Sequence, residues 1–252
     1  MNSNSPQARL FVPDALIAGV TIEPTKDQQH YLMTVMRLKA GAGVALFNGR
    51  DGEWFATLEA TGKRTCSLMV QDQRRSQSNS PDLWLLFAPV KKARLDFIAQ
   101  KASEMGASVI WPVRTDYCQV SRVNDSRLEA NAIEAAEQTE RLDIAEIRDF
   151  VPLHEALAML DHDRLLIWCD EASADNPACN AIDIFALHPR PERAAIVIGP
   201  EGGFSEVERR HLNARENCLK VSLGPRILRA DTAAIAALTC FQSVYGDWRE
   251  TS

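Results

Sequence analysis

The feature that most constrains this chain is an apolar run that ends in a glycine loop. Ala194-Ala195-Ile196-Val197-Ile198 leads into Gly199-Pro200-Glu201-Gly202-Gly203-Phe204, and a polar stretch, Ser205 to His211, follows at once. Consecutive apolar residues suit a strand buried on both faces. Ser205 and Glu208 have the S-x-x-E spacing of a helix capping box. A strand–loop–helix unit of this kind belongs to an α/β fold with a mostly parallel sheet, in which ligands bind beyond the carboxyl ends of the strands. Pro200 fixes φ and removes a donor, whereas Gly202 and Gly203 admit positive φ and close approach of backbone to a ligand. The loop has neither G-x-G-x-x-G nor G-x-x-x-x-G-K-[ST], so the two common nucleotide fingerprints are absent. Glu201 disfavours a phosphate guest and suits a polar, cationic or neutral one; a tight turn with no ligand is the alternative.

The same rhythm runs through the second part of the chain. "LWLLFAPV" reads as a buried strand, and "KKARLDFIAQKASEMG" places Leu95, Ile98, Ala99, Ala102 and Met105 on one helical stripe with Gly106 suited to the C-terminal cap. "SVIWPV", "RLLIWCD", "AAIVIG" and "CLKVSL" read as further strands, and "SRLEANAIEAAEQTER" as a helix. A second loop, "SLGPRILRADTAAIAAL" from Ser222, matches the first in position and carries Gly224 and Pro225. Two such loops at one edge of a sheet favour a binding site over two idle turns.

Before Pro81 the pattern differs. "RLFV", "GVALFN", "EWFATLEA" and "TCSLMVQ" read as short strands, "NGRDGE" as a hairpin turn, and "DQQHYLMTVMRL" as one helix among them. A small β-barrel or sandwich over residues 1–73, a polar linker over 74–82 and the α/β domain over 83–252 follow. Net charge is −6 overall, but residues 1–75 carry +2 and the remainder −8. That asymmetry permits a polyanion at the N-terminal part and argues against indiscriminate nucleic-acid binding. The N-terminus lacks a secretory pattern and no apolar run reaches membrane-spanning length, so a cytoplasmic protein without membrane contact is expected. Six scattered cysteines without a C-x-x-C pair point to free thiols and no metal.

"IGPEGGFSEVE" followed by "SLGPRILRADTA" resembles the signature of the RsmE family, the 16S ribosomal RNA (uracil-N3)-methyltransferases of the SPOUT class. "RLFV", "HYLMTVMRLKAGAGVALFNG" and "EWFATLEA" are similar to its N-terminal PUA-like barrel, and "KKARLDFIAQKASEMGASVIWPV" and "EAAEQTER" to its central elements. The resemblance implies a deep trefoil knot in the C-terminal part, S-adenosylmethionine (SAM) as cofactor, and a homodimer. It also implies methylation of N3 of uridine 1498 in 16S rRNA, on an assembled or nearly assembled 30S subunit. Two departures stand out: Asp231 occupies a position where the family usually has Glu, and "LDIAEI" follows Arg141 where it commonly shows a "VP" pair.

Carried onto this chain, the resemblance makes Gly199, Gly203, Leu223, Gly224, Ile227 and Leu228 the cofactor shell, glycines giving access to backbone groups and aliphatic side chains giving walls. The uracil N3–H is acidic only above neutral pH, so the reaction needs a base or a stabiliser of the developing anion. Arg229, with its permanent charge and forked donors, suits the stabiliser; a salt bridge to Glu201 or Asp231 is the alternative. Asp231 suits a base or the N-cap of the last helix. Glu201 suits a contact to the SAM amino group or to substrate, or a turn cap. Arg9 matches an N-terminal arginine of the family and is expected at RNA. Gln138 and Arg141, three apart, are expected on one helix face, which the resemblance places at the border of the substrate cleft; an exposed polar face is the alternative. Lys91, Lys92 and Arg94 open a helix, where cations oppose its dipole, which points to a polyanion contact; ordinary solvated charge is the alternative.

Overall fold

A computed structural model describes residues 5–90, 92–170 and 177–249. The chain forms two compact units: one from the residues up to Asn79 together with Ala136–Ile144, the other from Ser80–Ala135 and the chain from Ala145 onward.

The first unit is a five-stranded sheet built from β1 (Ala8–Phe11), β2 (Thr21–Ile22), β3 (Gly43–Phe47), β4 (Glu53–Ala60) and β5 (Cys66–Arg75), in the order β1-β3-β4-β5-β2. β1 runs parallel to β3; the other neighbours are antiparallel. The β3–β4 hairpin closes where Asn48 Oδ1 accepts from the Asp51 N–H (2.8 Å) and the Arg50 N–H (3.1 Å). Gly52 there has φ +79°, and a Cβ on it would sit 2.2 Å from the Arg75 carbonyl oxygen, so only glycine fits. β5 continues through Arg74 and Arg75, into the segment expected as linker. The expected helix after Pro24 is two pieces: α1 (Lys26–His30), opened by a Thr25/Gln28 capping box, passes into a π-helical turn over Tyr31–Val35 that buries Leu32. Leu10, Val12, Leu32, Val44, Leu46, Leu58 and Leu68 form this unit's core.

The second unit contains a seven-stranded parallel sheet. β6 (Asp82–Phe87), β7 (Val109–Arg114), β8 (Glu146–Ile147), β10 (Leu165–Cys169), β11 (Arg193–Ile198) and β12 (Cys218–Val221) are ordered β12-β10-β11-β6-β7-β8, and β9 (Val151–Pro152) pairs with β7. Its helices are α2 (Lys92–Glu104), α3 (Asp125–Gln138), α4 (Leu153–Met159), α5 (Ala181–Leu187), α6 (Glu206–Asn213) and α7 (Ala230–Val244). The core centres on Trp84, Trp111 and Trp168 with Leu86, Val197 and Phe204.

Register is what builds a site here. Ile198 pairs with Phe87 on one side and Cys169 on the other, and Cys169 pairs with Val221. Four carboxyl ends therefore lie level, and the loops leaving them gather at one edge. β6 connects through α2 to β7, whereas β11 connects through α6 to β12 beyond β10. Diverging connections from adjacent parallel strands leave a crevice between them. Among the described residues no helix is long and apolar enough to cross a membrane, and no group of three or more His, Cys, Asp or Glu is placed to hold a metal ion.

Candidate functional site

In the loop after β11 the Gly203 N–H donates to the Pro200 carbonyl (2.9 Å), closing a turn that requires φ +67° at Gly203. Gly202, expected to use the same freedom, has no positive φ. Gly199 is glycine for a steric reason, since a Cβ there would lie 2.9 Å from the Phe204 ring, which packs edge-on against Trp168. The helix start is as the spacing requires. Ser205 Oγ accepts from the Glu208 N–H (3.3 Å), and Glu208 Oε2 accepts from the Ser205 N–H (2.8 Å). Glu208 Oε1 also accepts from the Asp116 N–H (2.8 Å), and the Ser205 hydroxyl donates to the Asp116 carboxylate, which ties α6 to the segment after β7.

The loop after β12 is shaped by Ser222, whose hydroxyl oxygen accepts from the Gly224 N–H (3.2 Å), and by Gly224, with φ +107° and open space where a Cβ would stand. Leu223 and Leu228 are half-buried, while Ile227 is 77% exposed.

Between these loops lies a small cleft with a cavity volume of about 60 Å³. Gly199, Gly203, Leu223, Gly224, Ile227 and Leu228 all line it, so the structure brings the six expected shell residues together. Cys169, Asp170, Phe204, Ser222 and Ala230 line it as well. An aliphatic wall beside glycine-rich backbone fits a flat, partly polar ligand such as an adenosyl group.

Asp170 was not singled out from the sequence. Its side chain has no exposed surface, and it is held by Arg209 Nη1 and Lys220 Nζ, each at 2.7 Å. Burial by itself raises a carboxyl pKa, but the contacts with Lys220 and Arg209 outweigh it and hold Asp170 below the usual value. An acidic residue closing an otherwise apolar strand in "RLLIWCD" was the available signal.

The charged residues sort differently from expectation. Asp231 does not cap the last helix: Arg229 is the N-cap of α7, without a side-chain cap bond, and Asp231 lies in the first turn. The helix starts two residues earlier because Arg229 already has extended φ/ψ and its carbonyl accepts from the Ala233 N–H. Asp231 Oδ1 accepts instead from the Thr232 N–H (2.9 Å). The Arg229 guanidinium is exposed and makes no hydrogen bond or ion pair among the described residues, so it bridges neither Glu201 nor Asp231. That bridge is made by Arg94, whose Nη1 lies 3.3 Å from Glu201 Oε1 and whose Nε lies 3.8 Å from Asp231 Oδ2.

Gln138 and Arg141 do not share a helix face. α3 ends at Gln138, and Glu140, at φ +60°, turns the chain away before Arg141. Gln138 is exposed, whereas the Arg141 side chain is 9% exposed and pairs with Asp143. Arg9 also faces inward: Nε donates to Glu53 (2.7 Å), Nη1 to the Ala136 carbonyl (2.7 Å) and Nη2 to the Arg141 carbonyl, with Phe47 stacked 3.8 Å from the guanidinium carbon. Burial lowers its pKa, and Glu53 offsets this only in part. Lys91 lies outside the described residues.

Comparison with known proteins agrees with this geometry. Residues 77–242 match the model of an RNA methyltransferase domain, and residues 24–70 that of an RNA methyltransferase PUA domain. The ribosomal RNA small subunit methyltransferase E of Rickettsia conorii is 33% identical over 231 residues, covering 91% of this chain and 93% of the relative. The protein of the same name from Bacillus subtilis is 27% identical over 228 residues, covering 87% and 88%. A putative methyltransferase from Legionella pneumophila, solved with the cofactor SAM, superposes with a TM-score of 0.84 at 30% identity, covering 96% of this chain and all (100%) of that one. The ribosomal RNA small subunit methyltransferase E of Neisseria gonorrhoeae, solved bound to S-adenosyl methionine, gives 0.83 at 25% identity, covering 96% and 99%. With both domains and nearly the full length matched, this chain belongs to the RNA methyltransferase family, in its ribosomal RNA small subunit methyltransferase E branch.

Proposed function

We propose that the cleft between the β11 and β12 loops binds SAM and that the chain transfers its methyl group to N3 of a uracil, uridine 1498 of 16S rRNA, in an assembled or nearly assembled 30S subunit. The observation that carries this reading is the cleft itself. It lies at level strand ends and is lined by all six shell residues, in a chain 30% identical to a SAM-bound structure. When bound, SAM supplies an electrophilic methyl group on a sulfonium. The chain's own task is then orientation and management of one proton. Leu223, Ile227 and Leu228 wall the adenosyl group, and Gly199, Gly203 and Gly224 leave backbone accessible to its polar edge. Arg229, with an unengaged guanidinium, stabilises negative charge developing on the uracil ring or holds its flanking phosphate. Asp231, 18% exposed, accepts the N3 proton, and Glu201, 57% exposed, meets the cationic amino group of SAM. The uracil N3 position follows from the family resemblance, as do the trefoil knot and the homodimer; a cytoplasmic location accords with rRNA as the substrate.

Incubating the purified protein with SAM and undermodified 30S subunits, followed by mass mapping of the rRNA, tests the assignment. A single N3-methyluridine at 1498 is expected. A methyl group on a ribose hydroxyl or another base would make the chain a different RNA methyltransferase. No SAM binding by calorimetry would make it an RNA-binding protein that keeps the fold. A short free oligonucleotide methylated as efficiently as the subunit would remove the requirement for assembled RNA.

A further inference from the structure

The crevice between β6 and β11 opens where their connections diverge, and Arg94 lies on the first turn of α2, the helix that follows β6. One arm of its guanidinium reaches Glu201 in the β11 loop at 3.3 Å. Its Nε reaches Asp231, in the helix that follows the β12 loop, at 3.8 Å. α2 and α7 pack directly on one another, which brings Arg94 and Asp231 within reach. A cation in the first turn of a helix opposes the dipole, and two facing carboxylates offset that cost. A forked, planar guanidinium can span two carboxylates; a point charge on a flexible stem holds neither in a fixed direction.

We propose that Arg94 is a positioning residue of the methyl-transfer site: by holding Glu201 and Asp231 at once, it sets the spacing of the two loops between which donor and acceptor meet. The inference rests on the functional reading of those two carboxylates. Arg94 and Glu201 are 36% and 57% exposed, so the ties contribute little to overall stability and supply geometry instead. This role differs from that of a phosphate contact, which would set RNA affinity and its salt dependence but not the rate of the bound complex.

Arg94→Lys and Arg94→Gln in the full chain separate the two roles, with kcat and KM resolved on 30S subunits. Hydrogen exchange of residues 199–204 and 222–229 in the protein alone gives a readout free of activity. Both variants are expected to lower kcat about ten-fold or more, to leave KM for the subunit within about two-fold, and to exchange faster in both loops. Lysine keeps the charge but lacks the fork, so it does not rescue. A wild-type kcat in Arg94→Lys, or unchanged exchange in the loops, overturns the assignment. A raised subunit KM with kcat intact does so too, and makes Arg94 a phosphate contact. Should the wild type itself leave the rRNA unmethylated, the functional reading fails, while the exchange measurement still decides whether Arg94 holds the loops.

Discussion

Asp170 is a carboxylate without exposed surface between two cations, in the lining of the cleft. Removing its charge leaves Arg209 and Lys220 facing each other over Trp168 with no counter-ion. Asp170→Asn should therefore cost about 3 kcal/mol at neutral pH, the scale for breaking one member of a buried ion cluster. Because the folded-state pKa is depressed, the contribution is fully present above the ordinary value of 3.8 and is lost as pH falls through the lower folded value. In urea unfolding, the gap between wild type and variant should stay flat from about pH 8 to pH 5 and narrow only below 3.8. A gap that closes near neutrality would mean another group is responsible. Arg229 presents the opposite case, exposed and unengaged. Arg229→Ala should change stability by less than about 0.5 kcal/mol, abolish turnover and leave SAM affinity largely intact. Calorimetry showing collapsed SAM binding would place Arg229 in the cofactor shell instead. The two residues also differ in legibility. Arg229 stands out within a motif, whereas Asp170 acquires its role only from cations brought by α6 and β12.

At the scale of elements, local chemistry was readable where it is closed within a few residues. The Ser205/Glu208 capping box, the buried strands and the α2 stripe all follow from spacing. Arg229-Ala230-Asp231-Thr232 offers Asp231 as the obvious capping residue, yet backbone geometry makes Arg229 the N-cap. The end of α3 was likewise hidden, since a left-handed Glu140 has no glycine to announce it. The α6 box carries its own prediction. Ser205→Ala removes one cap acceptor together with the hydroxyl that donates to the Asp116 carboxylate, and should cost about 1 kcal/mol. Glu208→Ala leaves both the Ser205 and Asp116 N–H groups without their acceptor at a position only 7% exposed, and should cost about 2 kcal/mol or more. Chemical denaturation of the two variants measures the order. Equal losses would show that the Glu208 carboxylate contributes no more than the Ser205 hydroxyl does.

For the whole molecule, the sequence separates a strand-rich part from an α/β part and shows the excess of positive charge in the first. It does not show that Ala136–Ile144 belongs with the first unit, because that depends on contacts across more than a hundred residues of chain. Arg9 makes several of them: it binds the Ala136 and Arg141 carbonyls while pairing with Glu53, and the neighbouring Phe11 N–H donates to Glu137 (2.9 Å). A side chain 11% exposed whose three kinds of nitrogen are each engaged is a structural cation. Arg9→Met keeps much of the stem but deletes every one of these bonds. It should destabilise the first unit by about 3 kcal/mol, the scale for truncating one partner of a buried charged contact. Amide exchange should rise in β1 and in residues 136–144, while β10, β11 and β12 keep their protection and SAM affinity is unchanged. If the variant instead unfolds like wild type, exchanges like wild type and loses only affinity for the 30S subunit, Arg9 acts on RNA and the structural assignment is wrong. An intermediate result, with a weakened first unit and weakened subunit binding together, still assigns Arg9 to structure provided that low temperature restores both, because refolding the unit returns an RNA surface but cannot return a missing guanidinium.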